Sequence, residues 1–539
     1  MKKIFCIIIA FVMVMSIMTG CGSNTNNTST TTTSTTTTNN SSSTSDTASI
    51  KKGGTLKIGV SAELNWNMMS FSLTGAPLDY VYSWPIYESL FRPNAEGTVD
   101  PWLLESYEQD PNTMTYTFHL RKDVTFSDGT VFNAKVCKWN LDHYLEVGAK
   151  RVALLGSIKS VDIVDEYTVK LSLSTWSSII PYALSRECGY MFSQLQYETY
   201  GDKYCQEHPV GTGPFVLKSW TRDVNKVFVK NEKYWGGEVN LDGVEYIIYK
   251  DPLVAQAALS SGEIDVSAGM TWTGAVDLDK KGFVIGTSAV KSHCALLCFN
   301  SLNTNKDDPT GNVLVRQAIS HAINTEALVK SVYLGYANVT NQFGIGKHYY
   351  NNDIIGYKYD IENAKKLLAE AGYPNGFSTT IKTGDSAANR NVVAIIQADL
   401  AKIGIKAEIQ ILSGADANKN ETGWGTGMWF HTSSVYVSVP MQMASMFRQN
   451  LTGGVLGLTT LLRPDDVEAA LAKSVTAASE EEAVKSVGEA NRLMIDEYCT
   501  IMPVCEYPYF YVLNQRVKDA DIGETFYSVA SLGTAWIDK

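Results

Sequence analysis

The chain has 539 residues, 45% hydrophobic and 19% charged, with a formal net charge of −11. That length exceeds what one hydrophobic core usually organises, so two or three domains are expected. The acidic balance, with no basic block or stripe, leaves nucleic-acid binding without an electrostatic footing.

At the N-terminus, Lys2 and Lys3 precede an apolar run from Ile4 to Ile17, followed by Met18-Thr19-Gly20-Cys21. This is the layout of a signal peptide, residues 1–20, with small residues at the cut. A lone membrane helix would need roughly 20 apolar residues, more than this run supplies. A Cys directly after the cut is where a bacterial lipoprotein receives its acyl chains. With about 0.8 kcal/mol gained per buried CH₂ and more than one chain, such a protein stays on the membrane. Residues 21–50 then comprise the lipidated Cys21 and a stretch that is almost entirely Ser, Thr and Asn. That composition cannot bury enough apolar surface to offset its ordering entropy, so it reads as a disordered linker. The expected location is the cell membrane, lipid-anchored, on the extracytoplasmic face.

The body opens with an alternating strand from Thr55 to Val60. Alternation returns at Thr115 to Leu120, where His119 reads as a structural strand residue. The same stretch continues through a turn at Lys122-Asp123, a short strand Val124–Phe126 and an Asp128-Gly129 turn that returns Phe132 to the sheet. Further strands are expected at Thr168–Leu173, Phe215–Trp220, Val227–Lys230 and Val244–Tyr249, and a helix at Leu253–Leu259. Gly211-Thr-Gly213-Pro-Phe is glycine-rich, but Pro214 follows at once and a strand begins, so it is a turn and not a phosphate cradle.

In the second half, strands at Ala295–Phe299 and Lys406–Ile411 alternate with helices at 361–371, 392–403, 467–478 and 481–498. Asp360 and Ser479 are N-cap candidates, and Gly372 and Gly404 mark helix ends. His321 reads as a helix-face residue. Repeated strand–helix units favour mixed α/β domains, which bind small molecules in a crevice near the carboxyl ends of strands.

Beyond Cys6 and Cys21 there are seven cysteines: 137, 188, 205, 294, 298, 499 and 505. Seven cannot all pair within the chain. Cys294 and Cys298 lie on one face of a strand, about 13 Å apart along it, too far for joint ligation of a metal. They are read as core. Cys499 and Cys505 flank Pro503 and are close enough in sequence for a local disulfide. No hydrolase, metalloprotease, P-loop or dinucleotide motif stands where its context would allow it. No catalytic residue, metal ligand or cofactor is assigned, and an enzyme is not expected.

Several motifs in order then give the chain a likeness. They are Tyr87-Glu-Ser-Leu-Phe91, Pro101-Trp-Leu-Leu-Glu-Ser-Tyr107, the long stretch Tyr116 to Ala134, Gly211-Thr-Gly-Pro-Phe215, Asn231-Glu-Lys-Tyr-Trp235 and Leu241-Asp-Gly-Val244. Phe299-Asn300, Val315-Arg-Gln-Ala-Ile-Ser-His-Ala-Ile323 and the run from Ala364 to Phe377 follow. From Lys51 to Lys539 the chain resembles the peptide/nickel-binding (oligopeptide/dipeptide, family 5) solute-binding lipoproteins of ATP-binding-cassette importers.

The resemblance implies an α/β, two-lobed, periplasmic-binding-protein-like fold (class II, cluster C) with a hinge and an extra small domain on lobe I. Lobe I would be discontinuous, 51–98, 210–297 and 503–539; the additional small domain would be 99–209 and lobe II 298–502. It implies a monomer that captures an extended small solute, a peptide or oligosaccharide, between two lobes and delivers it to permease subunits in the membrane. A ligand that touches both lobes favours closure.

Relatives that bind peptides follow a Gly-Trp pair with an Asp that holds the α-ammonium. Here Gly423-Trp424 is followed by Gly427 at the Asp position, and no carboxylate occurs between Thr422 and Asp465. A buried ammonium without a counter-charge is costly, so a neutral polar solute such as an oligosaccharide is the alternative. Trp424, Gly427, Trp429 and His431, with Asn65, Trp66 and Asn67 after the first strand and Trp272 in a loop-like Gly269–Gly274, are the candidate ligand residues. Each Trp has packing as its competing explanation. Nickel or a metal chelate lacks a His cluster to support it, and a surface adhesin or sensor on the same fold is a further alternative.

Overall fold

The computed structural model describes residues 50–538 except 63–80, 95–97, 148–151, 289–292, 303–306, 345–348, 414–415, 418, 421–422, 435–437, 449–457 and 521–531. Cys21, the linker and Asn65, Trp66 and Asn67 lie outside the described residues.

Alternation places the strands well. Thr55–Val60, Thr115–Leu120 and Thr168–Leu173 are strands over those bounds, with Tyr116, Phe118 and Leu120 buried on one side of the second. Asp360 caps Ile361–Glu370 by accepting from the Asn363 N–H at 2.9 Å, and Ser479 caps Glu480–Arg492 through the Glu482 N–H at 3.2 Å. Four expectations need correction. The helix placed at 392–403 spans Ala387–Ala401, because Ser386 caps a polar first turn that apolar periodicity does not reveal. The helix expected to reach Tyr498 ends its α-helical part at Arg492 and continues as a π turn, Leu493–Glu497. Residues 124–126 make a single bridge, Thr125 to Val131, and no ladder. Trp272 opens a helix, Trp272–Asp279, and is not in a loop. Thr271 Oγ1 accepts from the Gly274 N–H at 3.1 Å, and Ala275 and Leu278 bury the inner face.

Among the described residues, three larger sheets carry the fold, beside two two-stranded ribbons. The first has seven strands in the order 284–287, 510–513, 266–267, 55–60, 243–248, 225–230 and 215–221. The second has six, in the order 338–339, 501–507, 293–299, 428–434, 378–384 and 406–412. A four-stranded antiparallel sheet, 104–110, 115–120, 168–173 and 158–165, shares a hydrophobic core with the first. The second sheet separates two cores of its own. In His293–Phe299, Ala295, Leu297 and Phe299 enter one, and Cys294, Leu296 and Cys298 the other. The two thiols are therefore core filling. Cys499 and Cys505 are both free thiols, Cys499 lying 3.6 Å from Ser320 Oγ and Cys505 within the strand Ile501–Tyr507.

Among the described residues, successive strands change between the first and second sheets twice, from Thr287 to His293 and from Tyr507 to Phe510. The strands His293–Phe299 and Ile501–Tyr507 each belong whole to the second sheet, because ladder hydrogen bonds assign a strand to its sheet along its length.

The sequence motifs converge on one buried carboxylate. Glu88 accepts from Trp102 Nε1 at 3.0 Å, Tyr234 Oη at 2.7 Å and Trp235 Nε1 at 2.6 Å, donors from two other motifs. Burial pushes its carboxyl up to about 7. Beside it, Gly213 N–H donates to the Ile86 carbonyl at 2.8 Å. A Cβ at Gly213 would sit 2.7 Å from that same carbonyl, which is why the turn needs glycine.

Candidate solute-binding crevice

Strand direction locates the crevice. In the first sheet, 55–60 runs parallel to 243–248 and 266–267. The strand 510–513 is antiparallel to 266–267 and 284–287, so its first residue, Phe510, pairs with Thr287 at the carboxyl end of 284–287. In the second sheet, 378–384 is parallel to both 406–412 and 428–434. The strand 293–299 is antiparallel to 428–434 and 501–507, which sets His293 beside Ser434 and Tyr507. The carboxyl ends of the parallel strands in both sheets therefore point toward the double crossover. This is where α/β sheets place their ligands.

The residues at this junction are polar and aromatic. The His293 ring stacks on Tyr507 at 4.9 Å, and burial pushes its imidazole down to about 4, so it is neutral at physiological pH. Tyr509 Oη donates to the Ala268 carbonyl at 2.8 Å, and its backbone N–H donates to Ser288 Oγ at 3.1 Å, tying one crossover to the first sheet. On the second-sheet side, Tyr350 Oη lies 3.0 Å from Thr340 Oγ1 and also bonds the buried Glu506. Gln442 Nε2 donates to Ser433 Oγ at 2.8 Å, while Gln442 Oε1 is buried without a hydrogen-bond partner.

The structure brings only part of the expected site to this end. His431 is buried on the same face of Met428–Ser434 as Ser433, one repeat from the carboxyl end. Trp429 lies one repeat further in and belongs to the core. Trp424 and Gly427 stand at the opposite end of the strand, about 20 Å away by the strand rise. The Trp424 ring is buried in that core, its indole donating to the Gly427 carbonyl at 3.3 Å, and Lys382 Nζ donates to the Trp424 carbonyl at 2.6 Å. Gly427 has φ +72, and a Cβ there would meet the Thr380 carbonyl oxygen at 2.4 Å, so no carboxylate fits. An acidic group does reach it: Asp308 Oδ2 accepts from the Gly427 N–H at 2.7 Å and from Asn300 Nδ2 at 2.7 Å, while Oδ1 accepts from the N–H and hydroxyl of Thr310. Four donors occupy that carboxylate, which makes it a structural knot.

Trp272 is stacked between Phe510 at 3.8 Å and Tyr336 at 4.8 Å. It thus joins a residue of the first sheet to one that precedes the second-sheet strand Asn338–Val339.

Glu506, Tyr350, Ser433 and Gln442 were not singled out by sequence reading. The one signal for them was Pro508 between two aromatic residues, a break between strands that marks a crossover. A separate cavity of about 370 Å³ lies at the far edge of the first sheet, lined in part by Gln196, Trp220 and Arg222, with Arg222 paired to Glu207 at 2.7 Å.

Comparison with known proteins agrees with this geometry. The family model described as bacterial extracellular solute-binding proteins, family 5 Middle, matches residues 98–454. The glutathione-binding protein GsiB of Escherichia coli is 32% identical over 346 residues, covering 63% of this chain and 66% of that protein, a little under two thirds of its length. Among solved structures, the periplasmic binding protein DppA of Helicobacter pylori in complex with the peptide STSA is 26% identical, with a TM-score of 0.73 over 91% of this chain and 99% of that one. NikZ of Campylobacter jejuni in complex with Ni(L-His), at 20% identity and a TM-score of 0.73 over 86% of this chain and 95% of that one, shares the fold. A double crossover between two sheets, strand ends turned toward it and a family match over most of the body lead to one conclusion: the chain belongs to the bacterial extracellular solute-binding proteins of family 5.

Proposed function

We propose that this protein is the solute-capturing component of an ATP-binding-cassette importer, and that its solute is a short peptide. The observation that carries this is the meeting of strand carboxyl ends from both sheets at the double crossover. The first sheet with the four-stranded sheet forms one lobe and its small domain. The second sheet forms the other lobe, and the two crossings are the hinge. A solute that touches both walls pulls them together, and the closed form is what a membrane permease reads. The protein acts as a monomer and supplies selectivity, while the covalent chemistry belongs to its partners.

The peptide reading is supported by the glutathione named for one relative and the peptide STSA bound by another. His431, Ser433, Glu506 and Tyr350 line the second-lobe wall in this reading, and Asn65, Trp66 and Asn67, which come after the strand Thr55–Val60 in sequence, are proposed as further ligand residues. A second reading, a neutral polar solute such as an oligosaccharide, is favoured by the missing carboxylate between Thr422 and Asp465 and by the lack of room for one at Gly427.

Thermal unfolding of the purified chain, stripped of carried-over solute, separates the two. Binding to the native state alone adds RT ln(1 + [L]/Kd), about 2.7 kcal/mol at a hundredfold excess over Kd. Glutathione and unmodified di- to pentapeptides are expected to raise the midpoint by several degrees, with matched oligosaccharides giving no shift. A shift with oligosaccharides alone would replace the peptide reading by the second.

Cys21 is the proposed acylation site that keeps the body at the outer face of the membrane. Cys21→Ser is expected to move the protein from the membrane fraction into the soluble one. Retention on the membrane with that variant would overturn the anchor.

A further inference from the structure

Residues 176–182, in the proposed small domain, touch the helix Asp465–Thr476 of the proposed opposite lobe. The helix Asp465–Thr476 of the second lobe ends without a left-handed cap, Ala477 having φ −58 and ψ 139. The last carbonyls of such a helix need donors from elsewhere. They come from the small domain. Ser178 N–H donates to the Val475 carbonyl at 3.1 Å, its hydroxyl donates to the same oxygen at 3.2 Å, and Trp176 Nε1 donates to the Ala477 carbonyl at 2.9 Å.

The donors are held in place from their own side. The Trp176 ring stacks on Tyr116 at 5.0 Å with 12° between planes, and Tyr116 Oη donates to the Ser177 carbonyl at 3.0 Å. Ile179 then inserts among Met441, Ala444 and Val475. Beyond it, Tyr182 bonds Tyr349, whose hydroxyl donates to Glu480 at 2.6 Å. Met441 and Ala444 belong to the helix Val439–Phe447, which directly follows the crevice strand Met428–Ser434. The surface that receives the small domain is thus coupled through one short connection to the wall proposed to hold the solute.

We propose that residues 176–182 are a closure latch: the small domain caps a helix of the opposite lobe and biases the molecule toward the shut form, whatever the solute. This rests on the two-lobed closing reading given above. A latch of this kind changes the competent fraction of the free protein, so it scales the apparent Kd of every solute by one common factor. The crevice chooses among solutes; the latch sets how tightly all of them are held.

The test uses the full chain with spin labels at two exposed positions, Val164→Cys and Glu481→Cys, the seven body cysteines being buried. Pulsed dipolar spectroscopy then reads the distance between small domain and opposite lobe, without solute and with glutathione or trialanine. Trp176→Phe keeps the ring and removes the donor; Ile179→Ala removes the apolar contact. Trp176→Phe is expected to raise the open-to-closed ratio of the solute-free protein about three- to tenfold, the range of one net hydrogen bond, and Ile179→Ala to raise it at least as much. Urea unfolding of Trp176→Phe is expected to stay close to that of the parent. A parent chain that samples two distances, with both variants showing the same distribution, would overturn the latch and leave closure standing. One fixed distance in the parent, with and without the peptides, would overturn closure and the latch together.

Discussion

Glu88→Ala is expected to destabilise the protein by more than about 3 kcal/mol, because each buried donor left without an acceptor costs about 1–3 kcal/mol. Three donors, Trp102 Nε1, Tyr234 Oη and Trp235 Nε1, would lose their acceptor at once. The effect should appear as a lower urea midpoint with an unchanged slope. A loss below 1 kcal/mol would mean that water replaces the carboxylate and that the site is not sealed. The pH dependence has a defined sign. Burial raises the Glu88 carboxyl from 4.5 to about 7, so the fold prefers the protonated group. Its contribution is fully present below pH 4.5 and is lost as pH rises toward and through 7, at up to about 1.4 kcal/mol per pH unit. Glu88→Gln, which cannot ionise, should lack that part of the slope.

The second large effect is at Trp424. Its ring is 2% exposed and packs in one of the two cores of the second sheet. Truncation of a buried aromatic residue costs about 3–5 kcal/mol, and Trp424→Ala should lose stability on that scale. Its affinity for solute, corrected for the folded fraction, is expected to stay within about twofold of the parent, far less than a hot-spot contact would cost. A variant of near-native stability with weakened binding would return Trp424 to the solute site.

The contrast at Trp424 marks what a sequence can and cannot carry. Strands such as Thr115–Leu120 were legible because burial on one face writes an alternation into neighbouring residues. Caps were legible because Asp360 and Ser479 bond N–H groups three residues away. The crevice was not, because its walls are assembled by strand direction. Glu506, Ser433 and Tyr350 come from separate segments, and no local pattern distinguishes them from other polar residues. Gly427 is hard to read for a related reason: it stands where the family motif has a charge, whereas in space it is a glycine pressed against the Thr380 carbonyl. Some of the motifs that identified the family are structural. Three of them meet at Glu88, in the first-sheet body and not in the crevice, so family membership was readable from the sequence while solute choice was not.

The seven buried thiols bear on how this molecule must be handled and how it must be born. A protein working outside the cytoplasm meets oxidants, and its odd complement of cysteines gives an unfolded chain many wrong partners and no complete set of right ones. Folding has to outrun thiol chemistry. Once the cores close, thiols such as Cys294 and Cys137 are shielded and their ionisation is pushed up by burial, which starves exchange of the reactive thiolate. Each excursion to the unfolded state, by contrast, risks a covalent trap, so without reductant its durability in service is a matter of rates rather than of equilibrium.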